Sequence, residues 1–336
     1  MRRKGLLYFI LFIGIFNKTT AQVDPHFSQF YAYPLYLNPA LTGVLDGDYR
    51  ATAIHRNQWN VFGAPFVTTG ISADMTTKSK LNVGINIFDQ TAGDGGYNYL
   101  QGALSLAYSG LQLDAKGFKK IIIGLQVGFI NRRFDPAKLK FGDQWVFGTG
   151  YDPNIVSHDL LSTTSATTFD AAAGIAYYDN DPDKSVNPFI GFSMDHLTQP
   201  VDPFLSTGLK EKLPYRYTIH GGLKYFYTER VSITPNFIYM QQGNANEIMI
   251  GANVQVPANP ASQTDIIGGI NYRLNDAISP FAGLYFNHVT IGVSYDINTS
   301  SLGKAVKNTN SYELSLTVTG KRVATDNSFR CAPPRF

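Results

Sequence analysis

The sequence predicts an all-β protein: a transmembrane antiparallel β-barrel of about 14 strands, with an N-terminal segment that lies in the periplasm or plugs the barrel. Three observations predict this class. An export leader begins the chain. The composition is 44 % hydrophobic and 13 % aromatic, yet no stretch after the leader approaches the roughly 20 apolar residues of a membrane-spanning helix. Finally, apolar and polar residues alternate in many segments of about ten residues.

Residues 1–21 are predicted to be a secretory signal peptide. Arg2, Arg3 and Lys4 precede an apolar run, Gly5–Phe16, and the polar residues after it end at Ala21, where we expect cleavage. The apolar run is shorter than the roughly 20 residues that span a bilayer as a helix, and no cysteine follows it to accept a lipid. Export and a barrel together predict the outer membrane of a Gram-negative cell.

The net charge of the mature chain bears on its partners, and its cysteine count bears on disulfide bonds. Without the leader, 24 Lys and Arg face 25 Asp and Glu, a formal charge of −1. A chain without basic excess has no electrostatic footprint for nucleic acid, so the expected partners are outer-membrane lipid and other proteins. The single cysteine, Cys331, cannot form an intrachain disulfide.

Residues 22–47 form a predicted periplasmic or plug segment. Its stretch DPHFSQFYAYPLYLNPALTG, Asp24–Gly43, fits neither a helical nor a strand period. Because a barrel with an even number of strands has both ends in the periplasm, this stretch is expected below or inside the lumen. Prolines restrict its backbone and aromatic rings give it apolar area with polar tips, so it can plug a lumen or dock a partner. The candidate residues for either role are Pro25, His26, Phe27, Ser28, Gln29, Tyr31, Pro34, Tyr36, Asn38, Pro39 and Gly43.

Residues 48–321 are predicted to form the barrel. In VTIGVSYDIN, residues 289–298, the odd positions are apolar or aromatic and the even positions are small or polar. Strand side chains alternate in this way when one face meets lipid. The same alternation runs through LNVGINIF (81–88), YRYTIHGGLKYFY (215–227) and SYELSLTVTG (311–320). Tyrosines at both ends of the apolar face of 215–227 are typical of the two aromatic girdles of membrane barrels.

About fourteen such segments are predicted, each close to the roughly 9 to 11 residues that a tilted strand needs to cross a bilayer. A secreted β-sandwich or β-propeller is the alternative. Long aromatic-tipped apolar faces, and opposite faces of Gly, Asn, Ser and Thr, favour a barrel with a wet or plugged lumen. The long connection Phe134–Ala166 is predicted to be an extracellular loop. The predicted strands cover residues 48–57, 66–74, 81–89, 97–113, 119–134, 167–179, 186–197, 214–228, 231–242, 246–257, 264–274, 277–287, 289–299 and 310–320.

Five charged residues fall on predicted lumen faces. Arg216, Lys224 and Arg273 share that face with Asp296 and Glu313. Unpaired burial of a charge is costly, so ion pairs or water contacts among these side chains are expected.

No cofactor or metal site is expected. Asp89 and Asp94 lie among glycines, but they lack the EF-hand pattern and are read as a turn. No G-x-S-x-G elbow is present, although a hydrolase that uses a noncontiguous Ser and His stays open as an alternative. The histidines have no metal-ligand spacing; they are His26, His55, His158, His196, His220 and His288.

The mature chain closely resembles the PorP/SprF family, outer-membrane barrels associated with the type IX secretion system of Bacteroidota. The resemblance rests on Asp24–Gly43 and on further matches in order along the chain. These are HRNQW (55–59), DQTAGDGG (89–96), LKFGDQ (139–144), HLTQP (196–200), LPYRYTIHGG (213–222), YMQQGN (239–244), GVSYDI (292–297) and SYELSL (311–316).

The resemblance implies a role in type IX secretion and, in gliding bacteria, in the export of surface adhesins. Family members are not known as enzymes. Some resemble dedicated partners for cargo with a C-terminal sorting domain, and others the attachment point of periplasmic machinery. The predicted tail, residues 322–336, departs from the family, because CAPPRF (331–336) stands in place of an ending of Cys-Pro-Arg-Phe type. A passive channel or hydrophobic-solute transporter is the alternative function, since a plugged barrel of this size suits it as well.

Overall fold

The computed structural model describes residues 24–59, 65–93, 96–135, 138–158, 164–201, 212–259, 264–306 and 309–322. The predicted signal peptide and the tail beyond Arg322 lie outside the described residues.

Fourteen strands close an antiparallel barrel, which confirms the predicted fold class. Two further short strands, β6 and β7, pair only with each other. Apart from them, each strand pairs with its neighbours along the chain, and the last strand pairs with the first. The strands are β1 (Tyr49–Gln58), β2 (Phe66–Met75), β3 (Leu81–Ala92), β4 (Tyr97–Gln112), β5 (Lys119–Arg133), β6 (Trp145–Val146), β7 (Gly150–Tyr151), β8 (Ser165–Asp179), β9 (Val186–Asp195), β10 (Arg216–Phe226), β11 (Ser232–Gln242), β12 (Ala245–Pro257), β13 (Thr264–Arg273), β14 (Ala277–Phe286), β15 (Val289–Asn298) and β16 (Ser311–Gly320).

The first and last strands close the barrel along their whole length. Tyr49 of β1 pairs with Gly320 of β16, and the register continues to Gln58 and Ser311. Closure leaves no free edge in this sheet, which is what strands in lipid require.

The predicted alternation sets the two faces of the sheet. In β15, Ile291 is 54 % exposed on the outer face, whereas Thr290 is 5 % exposed on the inner face. Tyr217 and Tyr225 of β10 also point outward, near the two ends of that strand. The outer face is therefore apolar with aromatic residues near its borders, as expected for contact with lipid.

The two ends of the barrel differ in their connections. The end where β1 begins and β16 ends, here called the terminal rim, has only short turns in the described chain. The opposite end, here called the loop rim, carries the long connections 134–164 and 196–215. Short turns are periplasmic and long loops extracellular in barrels of this class, so the loop rim is assigned to the outside.

Helices are few and short. One helix, α1 (Pro34–Leu37), lies inside the barrel, and another, α2 (Ser301–Ala305), lies in the connection between β15 and β16. Among the described residues, none of the helices has the length and apolar character needed to span a bilayer.

The hydrophobic core lies inside the barrel and is built around the residues that precede β1. Leu37 and Leu41 pack in one cluster with Ile122 of β5 and Met249 of β12. In a second cluster, Tyr33 and Tyr36 pack with buried hydrophobic residues of several barrel strands. The barrel is thus packed around its own N-terminal segment.

Candidate functional site: the lumen segment and the vestibule

Residues Asp24–Leu45, here called the lumen segment, are all buried. The segment starts at the loop rim, where the amide nitrogen of Asp24 donates to Gln242 Oε1 over 3.1 Å. It ends near the terminal rim, where Arg50 at the start of β1 donates to the carbonyl oxygens of Leu41 and Val44, each over 3.1 Å. The segment therefore runs through the lumen from one rim to the other.

This path differs in one respect from the sequence expectation, which placed the stretch below or inside the lumen on the ground that both chain ends are periplasmic. An even number of strands fixes only where β1 begins and β16 ends. Because the chain crosses the lumen before β1, Asp24 lies at the rim opposite to Tyr49.

Prolines and an asparagine shape the backbone of the lumen segment. Pro34 begins α1 and Pro39 begins a 3-10 turn, Pro39–Leu41. Proline suits the first position of a helical turn because its fixed φ matches and its missing N–H needs no partner there. Between the two turns, Asn38 Oδ1 accepts the amide of Ala40 over 2.9 Å as an N-cap.

Glycines on the inner faces of the strands let the lumen segment approach closely. A Cβ on Gly124 would lie 2.3 Å from the backbone nitrogen of Ala40, and one on Gly174 would lie 2.0 Å from Asn38 Oδ1. The strand pattern predicts such glycines on the face of a wet or plugged lumen, and in the structure several of them approach the segment. The contacts are Gly70 with Tyr33, Gly84 with Leu35, Gly124 with Pro39 and Ala40, Gly174 with Asn38, Gly191 with Asn38, and Gly292 with Gln29.

A buried ionic cluster holds Ser28 and Gln29, in the first third of the lumen segment. The backbone nitrogens of Ser28 and Gln29 donate to the carboxylate of Glu313 over 2.6 and 2.8 Å. Ser28 Oγ donates to Asp296 Oδ1 over 2.7 Å. Arg56 pairs with both Asp296 and Glu313. Because backbone donors and a guanidinium both satisfy the carboxylates, the cluster compensates the cost of burying its charges.

A second buried cluster holds the start of the lumen segment. Asp24 Oδ2 lies 2.6 Å from His196 Nε2, and His196 Nδ1 lies 2.8 Å from Asp170 Oδ2. Burial alone would lower the pKa of His196, but the carboxylates of Asp24 and Asp170 outweigh burial and raise the pKa to about 10. His196 is therefore an imidazolium at neutral pH, bonded to a carboxylate at each ring nitrogen.

Arg216 completes this second cluster. Its guanidinium lies 3.2 Å from Asp24 Oδ2 and 3.1 Å from Asp195 Oδ2. It also donates to Tyr36 Oη over 2.5 Å, with its central carbon 4.4 Å from the centroid of the Tyr36 ring. Arg216 thus ties two parts of the lumen segment to the wall.

The five charged residues predicted to face the lumen take partly unexpected partners. Arg273 pairs with Asp296 over 2.8 Å, a pair among the predicted residues. Glu313 pairs instead with Arg56, and Arg216 with Asp24 and Asp195. Lys224 Nζ lies 5.2 Å from the centroid of the Phe226 ring.

Sequence reasoning missed Arg56, Asp24 and His196 as members of these clusters. Arg56 lies within HRNQW and His196 begins HLTQP, so motifs contained both residues. The pattern of β1 was too weak to place Arg56 on the inner face, and Asp24 precedes the strands. His196 was predicted within the strand 186–197, but β9 ends at Asp195, so His196 lies just beyond it.

The eleven candidate residues of the lumen segment all lie in the lumen. Phe27 meets the rings of Tyr33 and Tyr36 edge-on, at centroid distances of 5.7 and 6.0 Å. Tyr31 meets Phe189 at 5.7 Å. The remaining candidates are equally buried; they are Pro25, His26, Ser28, Gln29, Pro34, Asn38, Pro39 and Gly43.

Above the lumen segment, at the loop rim, the barrel holds a cavity of about 1120 Å³, here called the vestibule. Asp24, Pro25 and His26 contribute to its lining, together with Arg56 and Glu247 from the strands. In the part of the chain that the structure describes, no group of three or more His, Cys, Asp or Glu residues could hold a metal ion.

A family model described as "Type IX secretion system membrane protein PorP/SprF" matches residues 19–318. The chain belongs to the PorP/SprF family. Membership makes it an outer-membrane component of the type IX secretion system, and it implies association with other components of that system and with membrane lipid. No curated protein matches the chain.

Several solved outer-membrane barrels are similar in shape to this PorP/SprF chain. The toluene transporter TbuX of Ralstonia pickettii aligns with a TM-score of 0.49 and 9 % identity, over 84 % of this chain and 91 % of TbuX. The monoaromatic hydrocarbon channel CymD gives 0.48 and 10 %, over 85 % and 91 %. The toluene transporter TodX of Pseudomonas putida gives 0.48 and 11 %, over 84 % and 91 %. At these values the likeness says nothing about what this chain binds or transports.

Proposed function

We propose that this PorP/SprF protein is a nonenzymatic docking barrel of the type IX secretion system. It supports the export of cargo with a C-terminal sorting domain, such as surface adhesins, or anchors periplasmic machinery at the outer membrane. The observation that carries the proposal is the family match over residues 19–318.

The filled lumen supports docking over free passage of a solute. Twenty-two consecutive residues, Asp24–Leu45, are buried inside the barrel, and two charged clusters hold them to the wall. A conduit along the barrel axis would require the segment to leave the lumen, and with it the contacts of Asp24, Ser28 and Gln29. Docking at either rim requires no such movement.

The test separates docking from simple plugging. Phe27, Tyr31 and Tyr36 are replaced together by Ala, and copurification of secretion components from native membranes and export of cargo are measured. Loss of both, with a heat-modifiable barrel still in the outer membrane, is expected if the segment supports docking, because these rings pack the segment into the lumen and so hold it in place for a partner at the rim. If the segment only plugs the lumen, secretion persists and conductance in planar bilayers rises.

A matched control replaces three aromatic residues outside the lumen. Trp145, Phe147 and Tyr151 lie in the connection between β5 and β8, and Phe147 is fully exposed. Their replacement by Ala is expected to leave partners and export unchanged. The assembly readout comes first: a lumen-segment variant that assembles, secretes normally and keeps its partners contradicts a docking role for the segment.

A further inference from the structure

The vestibule is larger than a small-molecule site, and the proposed docking role does not account for its chemistry. Its volume of about 1120 Å³ exceeds the roughly 300–1,000 Å³ of typical small-molecule pockets. It opens at the loop rim, and its lining includes Asp24 and His26 of the lumen segment. A polypeptide segment suits such a space better than a small solute does.

Three side chains in the vestibule wall share one arrangement, in which one polar atom binds the protein and the other has no partner. Asp24 binds His196 and Arg216 through Oδ2, Gln242 accepts the Asp24 amide through Oε1, and Glu247 faces His26 through Oε2 at 3.4 Å. Among the described residues, Asp24 Oδ1, Gln242 Nε2 and Glu247 Oε1 have no hydrogen-bond partner. Asp24 and Gln242 are each 6 % exposed. Unpartnered buried polar atoms are costly, so these atoms call for a ligand.

The charges of the vestibule decide the sign of that ligand. Its three guanidinium groups, Arg56, Arg216 and Arg273, are all engaged in ion pairs with carboxylates of this chain. Two of the three unpartnered atoms belong to carboxylates, Asp24 and Glu247. An anionic ligand would therefore find no unengaged guanidinium, whereas a cationic N–H donor would find two acceptors.

Aromatic side chains stand in the same wall. Trp59, Phe66 and Tyr97 line the vestibule, and the rings of Trp59 and Phe66 meet at a centroid distance of 5.1 Å. Aromatic faces attract ammonium and guanidinium groups. They also supply apolar area for the methylene stem of a long cationic side chain.

We propose that the vestibule binds a lysine- or arginine-bearing segment of another polypeptide. Asp24 Oδ1 and Glu247 Oε1 accept N–H groups of the cationic side chains, and Gln242 Nε2 donates to a backbone carbonyl of the segment. The proposal goes beyond the docking role, because it names a ligand chemistry and can be tested on the purified barrel alone.

The test compares two labelled octapeptides that differ only in charge. Both are Gly-Ser peptides with blocked ends; one carries two lysines and the other two glutamates. Fluorescence anisotropy with the detergent-purified mature barrel is expected to give at least about tenfold tighter binding of the lysine peptide, with affinity falling as salt rises. This preference requires no variant, so it does not depend on the folding of one.

A variant then locates the site. Glu247→Gln keeps the shape and removes the charge, and it is expected to weaken binding of the lysine peptide by about tenfold. Glu229→Gln is the matched control, because Glu229 is exposed at the opposite, terminal rim. It is expected to leave binding unchanged.

Three results would overturn the proposal. These are equal affinity for the two peptides, binding of neither peptide, and a Glu247→Gln effect no larger than that of Glu229→Gln. Binding of neither is also the result expected if the barrel's own amino terminus neutralises the two carboxylates. A lumen-segment variant that assembles, secretes normally and keeps its partners, while the wild-type barrel binds the lysine peptide, would count against the docking function and leave this site standing.

Discussion

The two ends of the lumen, both enclosed by the same fourteen strands, have very different contents. Toward the terminal rim, Leu37, Ala40 and Leu41 of the lumen segment pack in one cluster with Ile122 and Tyr178. Toward the loop rim the lumen stays open as the vestibule, with charged and aromatic lining. Strand alternation determines that the wall residues point inward at both ends. What they meet there, protein or open space, depends on where the lumen segment lies.

The largest expected effect comes from breaking the ionic cluster of Arg56, Asp296 and Glu313, which holds Ser28 and Gln29 beside the vestibule. Glu313 is fully buried and accepts the amides of Ser28 and Gln29. Glu313→Ala leaves Arg56 short of a partner and is expected to lower the free energy of unfolding by about 3–5 kcal/mol, as for other broken buried ion pairs. Urea unfolding in detergent micelles, followed by fluorescence, measures it.

The control for this variant is Glu229→Ala at the exposed terminal rim, for which a change within about 0.5 kcal/mol is expected. Equal effects of the two substitutions would show that the cluster does not stabilise the folded barrel.

A smaller effect is expected from one added methyl group under the lumen segment. Gly124→Ala brings a Cβ to within 2.3 Å of backbone atoms of Pro39 and Ala40, and overpacking of this kind costs roughly 1–3 kcal/mol. Displacement of the segment should also raise conductance in planar bilayers. Gly268→Ala is the matched control, because nothing lies within 4 Å of the Cβ it adds. If both variants have the same free energy of unfolding as the wild type, the segment can move away from the added methyl group near Pro39 at little cost in stability.

A matched pair of asparagines compares the two regions directly. Asn38 is fully buried and its Nδ2 donates to the carbonyl oxygens of Ile175 and Phe192, each over 3.2 Å. Asn38→Ala removes these bonds and the N-cap, and a loss of about 1–2 kcal/mol is expected. Asn246→Ala, at an exposed position of the vestibule lining, should change stability by less than about 0.5 kcal/mol. The same urea titrations measure the free energy of unfolding of both variants. A larger loss for Asn246→Ala than for Asn38→Ala would contradict the difference between the packed lumen and the vestibule.

The smallest effect concerns pH at the boundary between the two regions. Since the pKa of His196 is raised to about 10, its contribution to stability is complete below its unfolded pKa of about 6.5. That contribution is lost as the pH rises toward 10. The loss is at most about 1.4 kcal/mol per pH unit. Unfolding at pH 6.5 and 7.5 should show a decline in the wild type that is absent in His196→Gln; parallel declines would exclude His196 as its source.

The barrel was predictable from the sequence because period-two alternation reports directly which side chains face lipid. Val293 and Leu316 follow that pattern, and both are exposed on the outer face. The strands β6 and β7 escaped prediction, since two-residue strands are too short to show alternation. Element bounds also shifted slightly, as in β8, which begins at Ser165 instead of residue 167.

The contacts of the lumen segment were less predictable, for a physical reason. Its composition indicated a plug or docking element, but its partners come from strands far apart in sequence. Asp24 meets His196 across 172 positions, and Ser28 meets Glu313 across 285. Such pairs depend on the depth of the segment in the barrel, which neither hydrophobic period nor motif spacing encodes.

The closure of β1 against β16 has a consequence for assembly order. The lumen segment is made before every strand, and the strand that seals the barrel is the last. An open sheet can curl around the segment and zip shut from Tyr49–Gly320 to Gln58–Ser311. No free end then has to be threaded through a finished ring. Pairing of β1 with β16 therefore closes the barrel around the lumen segment, and this step can occur only after the last strand has been added.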